Sequence, residues 1–323
     1  MVTSVVRARH RAALALLLVL WSGVALAQPR TIDGTWETKA PMPTARSEIA
    51  AATIDTRVYV VGGLIQSGGI ATFEMYDTVA NRWQALAPIP EARHHTAAAG
   101  HDGRVYVSGG YRASFNEPLR TLWMFDPAAN TWTRRADMPG ERAAHAMVAV
   151  AGKLYVVGGV GDFPQRMWAY DPASDRWATN VAALPTVREH TSAAALDGKL
   201  YLMGGRWSGR NQTTAEVYDP ATDRWSKLAD MPTARGGLTA AAIEGRIHVA
   251  GGEELGGDRT FNQNEAYDPA TNTWAAATLM PTARHGLTSA GIDGVLYVIG
   301  GATRAGGGTY TSLSNLVEAF RAR

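Results

Sequence analysis

The stretch MPTARHGLTSAGIDGVLYVIGG, Met280–Gly301, decides the fold. An arginine follows the proline, then a run of small residues, then the pair Asp293-Gly294, then a β-branched apolar run that stops on two glycines. The small run reads as one strand, Asp-Gly as a tight hairpin turn, and VLYVI as a second strand. The parts recur. Arg46, Arg93, Arg142, Arg188, Arg235 and Arg284 are spaced 47, 49, 46, 47 and 49 residues apart. The glycine pairs beginning at Gly62, Gly109, Gly158, Gly204, Gly251 and Gly300 repeat the same intervals. Trp36, Trp83, Trp132, Trp177, Trp225 and Trp274 follow at 47, 49, 45, 48 and 49. Three markers on one period define an internal repeat.

Each unit reads as four strands. AAATI, AMVAVAG and SAAALDG are first strands; RVYVVGG, KLYVVGG and VLYVIGG are second strands. A variable loop leads to a third strand ending near Tyr76, Phe125, Tyr170, Tyr218 or Tyr267. DPAANTW and DPATDRW then supply a Pro/Asn/Asp turn into a fourth strand that carries the tryptophan. Four antiparallel strands in such a unit make one blade of a β-propeller. Small side chains suit the crowded strand nearest the axis, and Trp and Tyr suit the wider gaps further out. With Gly-Gly, Tyr-Asp and Trp in this order, the chain resembles the Kelch-repeat family. The resemblance covers nearly all of residues 28–323 and implies an all-β fold, a six-bladed β-propeller of four-stranded antiparallel Kelch blades. The segment GTWETKAPMP supplies a fourth strand without the preceding three, and NLVEAF a third strand with Phe320 in the Tyr slot. The N-terminal strand around Trp36 is therefore expected to complete the last blade and close the ring.

Residues 1–27 are set apart as a signal peptide. Arg7, Arg9 and Arg11 precede an apolar run, which ends in Ala25-Leu26-Ala27. The run is broken by Ser22-Gly23 and is short for a spanning helix. The protein is thus expected to be secreted or periplasmic, without a membrane anchor after cleavage. Removing three arginines leaves 31 − 3 = 28 basic residues against 29 acidic ones, about −1 with neutral His. That balance does not suggest nucleic acid as a partner. There is no cysteine, hence no disulfide framework, thiolate metal site or Cys nucleophile. Copper radical oxidases also carry a Kelch-like propeller, but that resemblance would imply a Tyr–Cys cofactor, which this chain cannot make. No cofactor is expected, and a closed ring with its own core is expected to be a monomer.

In a four-stranded meander, turns 1–2 and 3–4 lie at one end, and loops 2–3 and connections 4–1 at the other. The first end is nearly uniform between repeats. The second carries the variable loops, and a rigid scaffold with variable loops places binding there. Six guanidiniums, Arg46, Arg93, Arg142, Arg188, Arg235 and Arg284, would ring the channel mouth and suit carboxylates or phosphates. In some Kelch propellers arginines at this motif position line the ligand-facing mouth. Trp207, flanked by Arg206 and Arg210, and Tyr111 add aromatic and cationic contacts in the loops. His94, His95, His145, His190 and His285 follow the arginines at offsets +1, +2, +3, +2 and +1. Strand alternation splits such offsets between faces, so no metal site is expected.

The main expectation is a non-catalytic propeller that binds an acidic peptide or protein, or an anionic carbohydrate. An alternative comes from Glu253 and Arg259, six apart in GGEELGGDRT. Sialic-acid mutarotases are Kelch propellers in which a Glu and an Arg at this spacing look similar. That resemblance implies a sugar-acid mutarotase or epimerase, with the carboxylate moving a proton at a ring hydroxyl while arginine holds the substrate acid.

Overall fold

The computed structural model describes residues 31–112 and 115–323; the expected signal peptide, residues 1–27, lies outside the described residues. Six sheets follow one another around an axis. Blade 1 is Ala50–Ile54, Arg57–Val61, Phe73–Asp77 and Arg82–Ala85, each strand antiparallel to the next. Blades 2 to 5 repeat that order. Blade 6 joins Thr288–Ile292, Val295–Ile299 and Val317–Ala322 to Gly34–Thr38. Trp36 stands opposite Phe320, with ring centroids 5.2 Å apart. The ring closes as the repeat count requires. One pairing was not foreseen: Thr31–Ile32 runs parallel to the outer strand of blade 5 and makes that sheet five-stranded.

The sequence pattern explains the packing. A Cβ added at Gly100 or Gly291, in first strands, would stand 2.1 Å from a carbonyl oxygen of the adjacent blade. This crowding is why first strands are rich in Ala and Gly. At the 1–2 turn of blade 2, Asp102 and Gly103 both have positive φ, 48° and 65°, as a type I′ hairpin needs. The core lies between blades, where Val58, Val60 and Tyr76 of blade 1 pack on Ile292, Tyr297 and Ile299 of blade 6. Each blade tryptophan also ties blades together. Trp83 Nε1 donates to Ala40 O at 2.9 Å, Trp132 to Ala87 O at 2.8 Å, and Trp36 to Thr278 O at 2.9 Å. Tyr76 Oη donates to Asn81 Oδ1 at 2.7 Å, and the same oxygen accepts Ala40 N at 2.9 Å.

Candidate functional site

The motif arginines do not form the open rim expected from the sequence. All six are fully buried. Arg46, Arg188, Arg235 and Arg284 each pair with a third-strand glutamate, Glu74, Glu216, Glu265 and Glu318, at 2.5–2.7 Å. Each also donates to backbone carbonyls, as Arg235 Nη2 does to Val249 O at 3.0 Å. Blades 2 and 3 have Trp123 and Trp168 where the others have glutamate. There Arg93 turns to Glu91 at 3.0 Å, and Arg142 lies over the Trp168 ring at 4.2 Å and donates to Gly158, Asp162 and Phe163 carbonyls. A buried guanidinium needs its counter-charge and carbonyl acceptors, and the blade supplies them before any ligand can. The sequence carried this signal as a glutamate two residues before the third-strand aromatic in four repeats.

The residue two after each arginine lines the central channel. These are Glu48, His95, Ala144, His190, Gly237 and Gly286, all with left-handed φ between 49° and 63°. Their backbones link blade to blade: His95 N donates to Glu48 O at 3.0 Å, Ala144 N to His95 O at 2.9 Å, and His190 N to Ala144 O at 2.9 Å. Gly237 N and Gly286 N continue the series at 3.0 and 2.9 Å. Left-handed Glu and His carry strain that a glycine would avoid, a condition that gathers at functional sites. Beneath them the first strands enclose a channel of about 150 Å³ lined by Ala50, Ala97, Thr191, Thr239 and Ser289, among others.

Blade 5 has glycines at both positions after its arginine, Gly236 and Gly237. Arg206 and Glu253, each the residue after a Gly-Gly pair, reach into the space left. A Cβ at Gly236 would meet Arg206 at 3.3 Å, and one at Gly237 would meet Glu253 Cγ at 3.6 Å. Arg206 bridges Glu189 at 3.0 Å and Glu253 at 2.6 Å. His285 Nδ1 faces Glu253 Oε2 at 3.2 Å and Glu48 Oε1 at 3.6 Å. His95 Nε2 faces Glu48 Oε2 at 3.3 Å, and His190 Nδ1 abuts Glu189 Oε2. From above, Gly306 N donates to Glu253 Oε2 at 2.9 Å, and Thr309 Oγ1 meets His285 Nε2 at 3.0 Å. Phe115 packs at 5.0 and 5.2 Å from the His94 and His95 rings.

Burial sets the charge states. It pulls His94, His95 and His145 down to about 3 and His190 well below its ordinary value, with Arg206 adding to the effect at His95 and His190. The short contact of 2.6 Å between the Nδ1 atoms of His94 and His95 fits two neutral rings, one donating and one accepting. Burial pushes the Glu48 carboxyl up, opposed by His285. The centre therefore sets three carboxyl groups, Glu48, Glu189 and Glu253, against one guanidinium, Arg206. It is formally anionic, the opposite of the cationic rim the repeated arginines suggested.

Other expected residues scatter. Tyr111 is buried and packs 5.5 Å from His94. Trp207 is half-buried on a short hairpin with Arg210, which is exposed. Arg259 does not face Glu253: it is exposed, stacks over Phe261 at 4.7 Å and pairs through its backbone with Glu254. The cation of Glu253 comes from the preceding blade. The histidines also converge more than strand alternation allows. His95 and His190 share one offset in different repeats, and near-sixfold symmetry turns equal offsets into neighbours across the axis, with rings 4.9 Å apart. Glu48, Glu189 and Arg206 could have been found by comparing equal offsets between repeats instead of spacings within one.

The KLHDC2/KLHL20/DRC7 Kelch-repeats domain matches residues 30–159 and 134–301. An F-box/kelch-repeat protein of Arabidopsis thaliana is 41% identical over 64 residues, 19% of this chain and 16% of its own length. Kelch-like protein terF of Aspergillus terreus is 35% identical over 69 residues, 19% of this chain and 14% of its own. Kelch-like protein 23 of Homo sapiens is 34% identical over 65 residues, 20% of this chain and 12% of its own. The chain thus matches under a fifth of the length of each of these relatives. The solved structure of YjhT superposes with a TM-score of 0.75 over 86% of this chain and 95% of that one, at 19% identity, a likeness of fold.

Proposed function

Because the chain belongs to the Kelch-repeat family, we propose that it is a non-catalytic binding propeller whose loop 2–3 face takes an acidic segment of a partner protein. One observation carries this reading. Three large apolar side chains, Phe115 at 50%, Phe163 at 61% and Leu255 at 41% exposure, stand on the variable loops of blades 2, 3 and 5. Exposed aromatics on rigid scaffolds serve as anchors for partners. Taken together, the variable loops of blades 2 to 6 expose Arg112, Arg120, Arg166, Arg210, Arg259 and Arg304 against Glu117, Asp162, Glu254 and Asp258, an excess of positive charge. The anion preference expected of the motif arginines thus passes to loop arginines. The proposal includes export, secreted or periplasmic, for which the basic start and apolar run of residues 1–27 are the support, and fractionation of a tagged chain tests that part.

The binding test is a phage-displayed random-peptide selection on the purified protein. The selected peptides should be acidic, and combining Phe115→Ser, Phe163→Ser and Leu255→Ser should weaken them at least roughly tenfold. Val79→Ser, an exposed change in a 3–4 turn at the far end, should leave them unaffected. Equal affinity for the triple variant would refute the reading.

A second reading, a sugar-acid mutarotase, is favoured by Glu253 lying near the axis between Arg206 and His285, a carboxylate and an imidazole within reach of each other. NMR anomer exchange on an acidic sugar tests it. Turnover that vanishes in Glu253→Gln would establish the enzyme, and no exchange by the parent would dismiss it.

A further inference from the structure

We propose that Glu48, His95 and His190 form a binding site for a divalent transition-metal ion, for which zinc is the probe. Among the described residues, one ligand atom from each of these three side chains lies within 4.8 Å of the other two. Two imidazoles and a carboxylate match the donor set that zinc and similar ions accept, and leave a coordination position open. The three come from the entries to blades 1, 2 and 4, at the same offset after the motif arginine.

Three features make this a built arrangement. The backbones carrying the donors are tied in the hydrogen-bonded series from Glu48 through Ala144 to His190, so the donors sit on a rigid frame. The Nδ1 of His95 has a hydrogen-bond partner, and the Nδ1 of His190 lies against a carboxylate. His95 has His94 Nδ1 at 2.6 Å, and His190 has Glu189 Oε2 against it. The His94 contact occupies Nδ1 of His95 and leaves its Nε2, which faces Glu48, as the donor, and a carboxylate beside Nδ1 is a common neighbour of a metal-bound histidine. Finally, Nδ1 of the buried His285 has no hydrogen-bond partner of good geometry among the described residues and faces Glu48 and Glu253. With Arg206 the one guanidinium among three carboxyl groups, a cation at the axis balances the excess of acid. The proposal is independent of the partner-binding reading, since it needs neither the loop apolar residues nor a peptide.

The test is calorimetric titration of the chelator-stripped full chain with zinc, and absorption spectroscopy with cobalt. One equivalent should bind with a Kd of about 1 µM or tighter. Glu48→Gln, His95→Gln and His190→Gln should each weaken binding by at least roughly tenfold. His145→Gln, whose ring bonds to Ser108 below the site, should bind as the parent does. X-ray absorption of the zinc-loaded parent should show two imidazoles, a reading that does not depend on whether variants fold. No zinc uptake, or uptake without imidazole in the first shell, overturns the proposal. Loss of zinc in the site variants with peptide binding intact would separate this site from the loop surface.

Discussion

Replacing Glu265 by Ala tests whether the repeated arginine is an architectural group or a ligand contact. Arg235 is fully buried; its Nη1 donates to Glu265 Oε2 at 2.5 Å and to Thr233 O at 3.2 Å, and its Nη2 to Val249 O at 3.0 Å. Burial already draws its pKa down against the pull of Glu265. Without that carboxylate two carbonyls remain, Thr233 Oγ1 loses its acceptor at 2.6 Å, and a buried charge is uncompensated. Breaking such a pair costs about 3–5 kcal/mol, while replacing both members with apolar side chains is often near neutral. An unfolding entropy of about 2.1 cal/mol/K per residue over roughly 290 residues gives about 0.6 kcal/mol/K. The Glu265→Ala midpoint should therefore fall by about 5–8 °C in calorimetry. The double change Arg235→Met with Glu265→Leu should recover most of it. An arginine free at an open mouth would behave as a surface residue, within about 0.5 kcal/mol of the parent and a shift near 1 °C. A drop under about 1 °C for Glu265→Ala, or a double variant no better than the single, would refute the architectural assignment.

Two further predictions follow from closure and from histidine burial. Deleting residues 31–38 removes the outer strand of blade 6 and the Trp36–Thr278 bond, and exposes the edge of Val317–Ala322. The deleted protein should melt lower and less cooperatively, and a synthetic peptide of the missing residues should restore it; an unchanged melt would contradict closure by this strand. His145, buried beside Arg142, titrates at about 3 in the fold against an ordinary value of 6.5. The unfolded chain therefore binds a proton that the folded chain refuses, and stability is lost as pH falls from 6.5 toward 3, by about 2 kcal/mol at pH 5 from this residue. Melts at pH 7 and pH 5 should show a smaller loss for His145→Gln than for the parent, and equal losses would refute this account.

The sequence by itself determined the repeat, the number of blades, the strand order within each and the closing role of Trp36. These follow from local chemistry: Asp-Gly fits a type I′ turn, β-branched runs fit strands, small residues fit the axis, and the period repeats six times. It also put loop 2–3 and connection 4–1 at one end of each meander, the end for which binding is proposed. Tertiary structure decided what each motif residue does there. Arg235 looked like a ligand contact because its partner Glu265 lies 30 residues away on another strand. Arg259 looked like the partner of Glu253 because it is near in sequence, yet Arg206, 47 residues earlier, takes that place. The axial cluster was hardest to see, since Glu48, His95 and His190 share no local spacing. Only ring closure brings equal offsets from different blades to one axis, and it is there that Glu48, His95 and His190 meet.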